Sequence, residues 1–398
     1  MSQSLPVRTS LRAGLLLFAL AAALVLLPIQ QNGSGRGLSS LPLLDFVGYW
    51  AAGRLNVHGE NPYDPERVEQ LERAAGRDDE GIVMWNPPWA LPLVMPLGLL
   101  DCRSARLLWL TLHLLVLVGC ADALWRLYGG PATQRGIAWI LAFTFLPSLF
   151  VLTEGQITPL VLLGAVLFLL LIRQRRDKLA GAALLLLALK PHLVYLFWPA
   201  LLLWCIQERR WSVLLGGALA ILSAVGLALV FNPDVLGQYW HTMTRQPPQY
   251  HTPTLGTVLR LWLGAEHYRL QFLPLALGLA WLVPYWLRHR HSWDWSERLP
   301  LVLLVSLLTA AFGAWLFDLV LLLVPILQVA AGRCREPSGT PMVRLGSPDL
   351  LALLGYGLVN LIIVGQLVWE VPHFAYLWVT PALLLLFVVV RRRDLYLA

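Results

Sequence analysis

Asp45 and Tyr49 stand four residues apart in LLDFVGYWAAGRL, and Lys190 and His192 flank a proline in LKPH. On a helix the first pair shares a face, so a carboxylate and a phenol can point into one cleft, with Ala52 leaving room beside them. Proline removes an amide donor and breaks a helix, so Lys190 and His192 can turn toward one cavity. A carboxylate can take a proton from a hydroxyl, and cationic groups can stabilise a departing phosphate. Ionisable groups at the ends of apolar runs are costly and mark functional positions. Arg54, Glu154, Arg245, His251, Arg260 and Asp318 are further groups of this kind. Each has a plainer reading: Asp45 as a helix cap, Arg54 as the partner of a loop carboxylate, Lys190 in a salt bridge to Asp318 or Glu154. Trp50 and Trp85 suit stacking on sugar faces, and tryptophan is equally at home as an interfacial anchor.

These side chains sit in a chain built for lipid. Of its 398 residues 58% are hydrophobic and 13% charged, and apolar runs recur near the length needed to cross a bilayer, about 20 residues. No segment has the mixed composition of a soluble domain, so residues 1–398 read as one integral membrane unit. The net charge of +7 comes from arginines grouped at the ends of apolar runs, where they set topology; nucleic-acid binding is excluded on that distribution. Cys102, Cys120, Cys205 and Cys334 are scattered without a CxxC, so neither a disulfide framework nor a metal site is expected. The first apolar run has signal-peptide character but no A-x-A site before QQNGSGRG, and is expected to be a retained helix.

Candidate spans fall at about 11–29, 106–125, 136–152, 157–172, 179–190, 192–206, 211–230, 271–287, 299–315, 318–331, 349–368 and 377–390. That gives about twelve transmembrane helices, within a range of 10–13 set by the break at Pro191. With both termini cytoplasmic, 19 of the 30 Lys and Arg residues fall inside, as the positive-inside rule requires. The acidic loop 30–104 then lies outside. Its segments DFVGYWAAGRL and DPERVEQLERAAG read as helices along the membrane surface, the second with Asp64 as N-cap and Pro65 at its first position. WNPPWALPLVMPLGLL carries prolines at 87, 88, 92 and 96 and reads as a re-entrant or interfacial segment. No internal repeat is evident, which weakens a transporter reading.

The runs D-F-x-x-Y-W-x-A-G-R at 45–54, N-P-Y at 61–63, PP at 87–88, E-G-Q at 154–156, LAGAALLLLALKPH at 179–192 and FDLVLLLVPIL at 317–327 together resemble glycosyltransferase family 87. The sequence departs from the expected pattern at WNPP, where an aromatic directly before the proline pair is usual, and at FGAWLFD, which lacks a proline. The resemblance implies a GT-C-type fold in a bacterial plasma membrane, with an extracytoplasmic site. It implies transfer of a sugar, foremost mannose, from a polyprenyl-phosphate donor to a lipid-linked or envelope glycan acceptor, with inversion and Asp45 as general base. Donor-phosphate contacts fall to Lys190, His192, Arg260 and Arg245. Substrate contacts fall to Tyr49, Trp50, Arg54, Asn61, Tyr63, Asn86, Glu154, Gln156, His251 and Asp318. No cofactor and no obligatory metal are expected, because side-chain cations can neutralise a single phosphate. A transporter or flippase of lipid-linked glycans, or a non-catalytic subunit of an envelope assembly, are the competing readings.

Overall fold

The computed structural model describes residues 44–77, 84–244, 251–335 and 348–397; the expected first span at 11–29 lies outside them. All regular structure among these residues is helical. Helix α1 (Leu44–Val57) and α2 (Pro65–Ala74) belong to the expected outer loop, followed by a 3-10 turn at Pro88–Ala90 and α3 (Leu91–Gly98). The body comprises α4 (Cys102–Leu127), α5 (Gly136–Thr144), α6 (Leu146–Glu154), α7 (Thr158–Arg173) and α8 (Asp177–Leu187). It continues through α9 (Phe197–Gln207), α10 (Trp211–Phe231), α11 (Val235–Thr244), α12 (Leu255–Leu263), α13 (Leu273–His289) and α14 (Trp295–Thr309). A 3-10 stretch at Leu316–Leu322 leads into α15 (Leu323–Arg335), and α16 (Pro348–Val368) and α17 (Val379–Leu397) close the chain.

Six of these segments are long and apolar enough to cross a membrane, and a seventh forms if α5 and α6, bent by 57°, count as one. The chain is a multi-pass membrane protein. The other expected spans are shorter: α7 has 16 residues, α8 and α9 have 11 each, and α14 has 15. At 1.5 Å per residue none of these alone traverses roughly 30 Å of hydrocarbon. Pro191 separates α8 from α9 through a 3-10 turn, as its missing amide dictates. Asp64 caps α2 as expected, accepting from the Glu66 and Arg67 amides at 3.0 and 3.3 Å.

Helix α1 is packed inside the protein. Phe46, Val47, Ala51 and Ala52 are at most 1% exposed, so the helix is enclosed on several sides. The reason is legible in its composition: charge is confined to Asp45 and Arg54 near the two ends, with small and aromatic residues between. Gly53 lets it lie directly against α3, where an added Cβ would come within 2.4 Å of the Val94 carbonyl oxygen. The proline-rich segment is likewise packed inside the body, with Pro88, Leu91 and Val94 buried. Helix α8 is pressed between α7 and α10, again through glycine: a Cβ on Gly181 would sit 2.1 Å from the Val213 carbonyl oxygen.

Candidate functional site

Four chain segments deliver five polar groups to a common point. Asp45 and Tyr49 come from the first two turns of α1. Gln156 lies in the turn between α6 and α7, where Gly155 takes φ 70° and redirects the chain within one residue. Lys190 stands between α8 and the Pro191 turn, and Asp318 comes from the 3-10 stretch before α15. The Lys190 ammonium donates to Asp318 Oδ1 at 2.8 Å and to Gln156 Oε1 at 2.7 Å. The Tyr49 hydroxyl donates to the same Gln156 oxygen at 2.8 Å, and the Gln156 amide nitrogen donates to Asp45 Oδ2. Thr158 Oγ1 and the Trp315 amide complete Asp318, at 2.8 and 3.1 Å.

The orientation of Gln156 is fixed by its neighbours. Lys190 can only donate, so the amide oxygen must face it, which leaves the amide nitrogen for the Asp45 carboxylate. The result is a line running acid, amide, amine, acid, with Asp45 and Lys190 each 8% exposed and Asp318 1%. Two of the three ammonium protons of Lys190 are committed; the third faces no hydrogen-bond acceptor among the described residues, and the Phe317 ring lies 4.9 Å from the nitrogen. His192 is exposed beside this group and packs against Gly313, whose φ of 76° lets the loop before Asp318 pass within contact of the imidazole. Trp315 and His373 meet edge to face at 5.7 Å, and Phe150 stacks on Phe317 at 6.3 Å, giving the site an aromatic wall.

Burial raises the Asp45 carboxyl above its ordinary value of 3.8; the Gln156 amide, Lys190 and Arg77 pull it back, and Asp318 adds to the rise. Burial and the neighbouring Asp45 charge push the Tyr49 phenol well above 10.0, so it stays a neutral donor.

Several of the other expected residues lie apart from this group. Trp50 and Arg54 face away from this group: the indole donates to the Leu100 carbonyl at 3.1 Å and the guanidinium to the Gly98 carbonyl at 3.2 Å. The Gly98 carbonyl belongs to the last turn of α3, where a helix leaves such groups unpaired, and Leu100 lies two residues beyond it. Asn61 folds back to accept from the Tyr63 amide at 3.0 Å, a local turn. Tyr63 donates to the Asn86 carbonyl at 3.2 Å, and the Asn86 side chain donates to the Leu189 carbonyl at 2.9 Å, so these two brace the residue before Lys190. Arg260 bonds Gln271 at 3.2 Å and covers the Tyr268 ring, with no bond to Asp45 or Lys190. His251 is exposed in the preceding loop, Glu154 ends α6 while Lys190 pairs with Asp318, and Arg245 lies outside the described residues.

Sequence reading missed Thr158, Phe317 and Arg77. Phe317 opens the quoted run FDLVLLLVPIL and Thr158 lies two residues after E-G-Q, so both were within reach. Arg77 looked like an ordinary loop cation, yet it is 6% exposed and pairs with buried Glu72 at 3.6 Å under α2. Among the described residues, no three His, Cys, Asp or Glu side chains cluster closely enough to hold a metal ion.

This is an all-helical membrane protein whose polar centre couples a buried acid to a buried amine. The chain belongs to glycosyltransferase family 87, whose family model matches residues 85–317, more than half its length. It is therefore a membrane glycosyltransferase. The matched stretch contains Gln156 and Lys190, begins after Asp45 and ends one residue before Asp318. No curated protein and no solved structure matches the chain.

A carboxyl whose folded-state pKa is raised favours the fold while protonated: its contribution is full below the unfolded value and is lost as pH rises through the folded value. Asp45→Asn keeps an acceptor for the Gln156 amide and removes the buried charge. The variant is expected to melt at a higher temperature than wild type at pH 7, with the gap closing as pH falls toward 4. Thermal melts in one detergent across that range check it, and a variant that melts lower at every pH contradicts the burial argument.

Proposed function

We propose that this chain transfers a sugar, foremost mannose, from a polyprenyl-phosphate donor to a lipid-linked or envelope glycan acceptor, with Asp45 as general base. The observation that supports this reading is the meeting of Asp45 with Lys190 across the single side chain of Gln156. A base for the acceptor and a cation for the leaving group are the two things a lipid-phosphate sugar still requires. Burial makes Asp45 a stronger base than an exposed carboxylate, while Gln156 and Lys190 favour its charged form and oppose that rise.

In this mechanism the acceptor hydroxyl gives its proton to Asp45 as its oxygen bonds the anomeric carbon. The bond from that carbon to the phosphate oxygen breaks, and the phosphate keeps the electron pair. Attack opposite the leaving group inverts the centre, turning a β-linked donor into an α-glycoside. The uncommitted proton of Lys190 and the His192 ring receive the phosphate charge, so no resident metal or cofactor is required. Tyr49 holds Gln156 in register and stays protonated. The aromatic wall of Trp315, Phe317 and His373 offers the sugar a face.

We further propose a GT-C-type body of about twelve helices in a bacterial plasma membrane, with Asp45 extracytoplasmic and both termini cytoplasmic. Arg126, Arg173, Arg210, Arg333 and Arg391 all collect at the end away from Asp45, which supports that orientation. Glu66→Cys and Glu208→Cys, placed singly in a background without the four native cysteines, are expected to react with an impermeant maleimide from opposite sides; same-side labelling reverses the orientation.

Purified protein incubated with a panel of radiolabelled polyprenyl-phosphate sugars is expected to transfer mannose most readily. Asp45→Asn should lower turnover by about 10²–10⁴-fold with donor binding retained, because only the base is lost. Turnover of the variant within a few-fold of wild type rules Asp45 out as the base.

A further inference from the structure

A separate cavity of about 1100 Å³ opens at the far end of the same helices. Along α7, Thr158 bonds Asp318 in the first turn and Arg173 lines the cavity in the last, roughly 22 Å away at 1.5 Å per residue. Along α4, Trp109 bonds the Gly155 carbonyl beside the Asp45 group, and Arg126 reaches the cavity. The two sites therefore occupy opposite ends of the molecule.

Arg126, Arg173, Arg175, Arg210, Arg333 and Arg391 line this cavity, against Glu208, Asp294 and Glu297. Asp122 and Asp177 neutralise Arg126 and Arg210 at 2.7 Å, and Glu297 neutralises Arg391 at 2.5 Å. Asp294 is committed to the N-cap of α14, accepting from the Ser296 amide at 2.7 Å. Arg173 donates to the Leu127 carbonyl at 2.9 Å, which orients its charge without cancelling it. Arg175 is exposed, held at φ 60°, and has no ion-pair partner among the described residues. The neutral part of the wall also donates: the Tyr128 hydroxyl and the indole N–H groups of Trp293 and Trp295 are buried with no hydrogen-bond partner among the described residues. Leaving three donors unpaired in one wall is costly, and it adds to the donor character that the arginines give this end.

The cavity continues into an apolar groove of about 320 Å³, because Val329 and Arg333 line both. The groove follows α15 from Cys334 to Pro325, a rise of roughly 14 Å, with walls from α5, α16 and α17. A charged chamber that opens onto a narrow apolar channel matches a molecule with an anionic head and a hydrocarbon tail. We propose that this end of the protein binds a phosphate-headed lipid from the leaflet opposite the Asp45 site, with its phosphate by Arg173 and Arg175 and one chain in the groove. The assignment uses none of the residues of the Asp45 group and stands apart from the glycosyl-transfer reading.

Full-length protein in neutral detergent, titrated by native mass spectrometry with phosphatidic acid, phosphatidylcholine and inorganic phosphate, tests the assignment. Phosphatidic acid is expected to bind about tenfold or more tightly than either of the others. Arg173→Gln with Arg175→Gln, both at exposed positions, should weaken it about tenfold. Ala352→Phe, which narrows the groove, should weaken the lipid while leaving any response to inorganic phosphate unchanged. Inorganic phosphate binding as tightly as the lipid, with no effect of Ala352→Phe, replaces the lipid site by a free-phosphate one. Equal binding of phosphatidic acid by wild type and the double arginine variant overturns the proposal.

Discussion

Lys190 is a cation held almost out of solvent, and much of the surrounding architecture follows from what keeps it there. Moving an ammonium from water into a protein interior costs several kcal/mol, and the cost is met only by an opposite charge in good geometry with further hydrogen bonds. Asp318 supplies the charge, so the chain must leave α14 at Thr309 and return through a loop with Gly313 and Ala314 at positive φ. Gln156 supplies the second acceptor, so α6 must end in a left-handed residue, and Gly155 is there. Once Gln156 has turned its oxygen to the amine, its nitrogen is committed to Asp45. One buried charge thereby fixes the position of a carboxylate 145 residues away in the chain.

Asp45 is fixed at a cost, since its own burial works against its ionisation. Lys190 and Arg77 lower that cost without removing it, a balance that suits the general-base role proposed for Asp45. Tyr63 and Asn86 contribute at one remove by holding the Leu189 carbonyl, and with it the chain that enters Lys190. The far end of the molecule follows a different logic. There arginines outnumber carboxylates around an open chamber, and the surplus charge and unpaired donors await an acceptor that the described residues do not supply.

The parts of this arrangement that rest on local rules were legible in the sequence. Apolar length located α10 and α16 to within a residue, proline explained the break at 191, and Asp64 with Pro65 announced α2. Helical spacing placed Asp45 and Tyr49 on one face, and both reach Gln156. Electrostatic cost required an anion for Lys190 and named Asp318 as one of two choices. What local rules could not give was direction around α1. Trp50 and Arg54 look as chemical as Asp45 and Tyr49, but a helix buried on several sides turns different residues to different neighbours. These two were claimed by the unpaired carbonyls at Gly98 and Leu100. The depth of Arg77 and Glu72 was equally hidden, because an amphipathic exposed helix such as α2 gives no warning that its inner charges pair beneath it.

If Gln156 and Lys190 act as one unit on the reaction, their effects on transfer cannot be independent. The direct test is a double-mutant cycle on kcat/KM with Gln156→Leu, Lys190→Met and the pair together. The account predicts that the double variant falls well short of the product of the two single losses, with a coupling in the range of about 0.5–3 kcal/mol seen for residues in one network. Losses that multiply to within about 0.5 kcal/mol would show two side chains acting separately and would contradict the line from Asp45 to Lys190 as the working element.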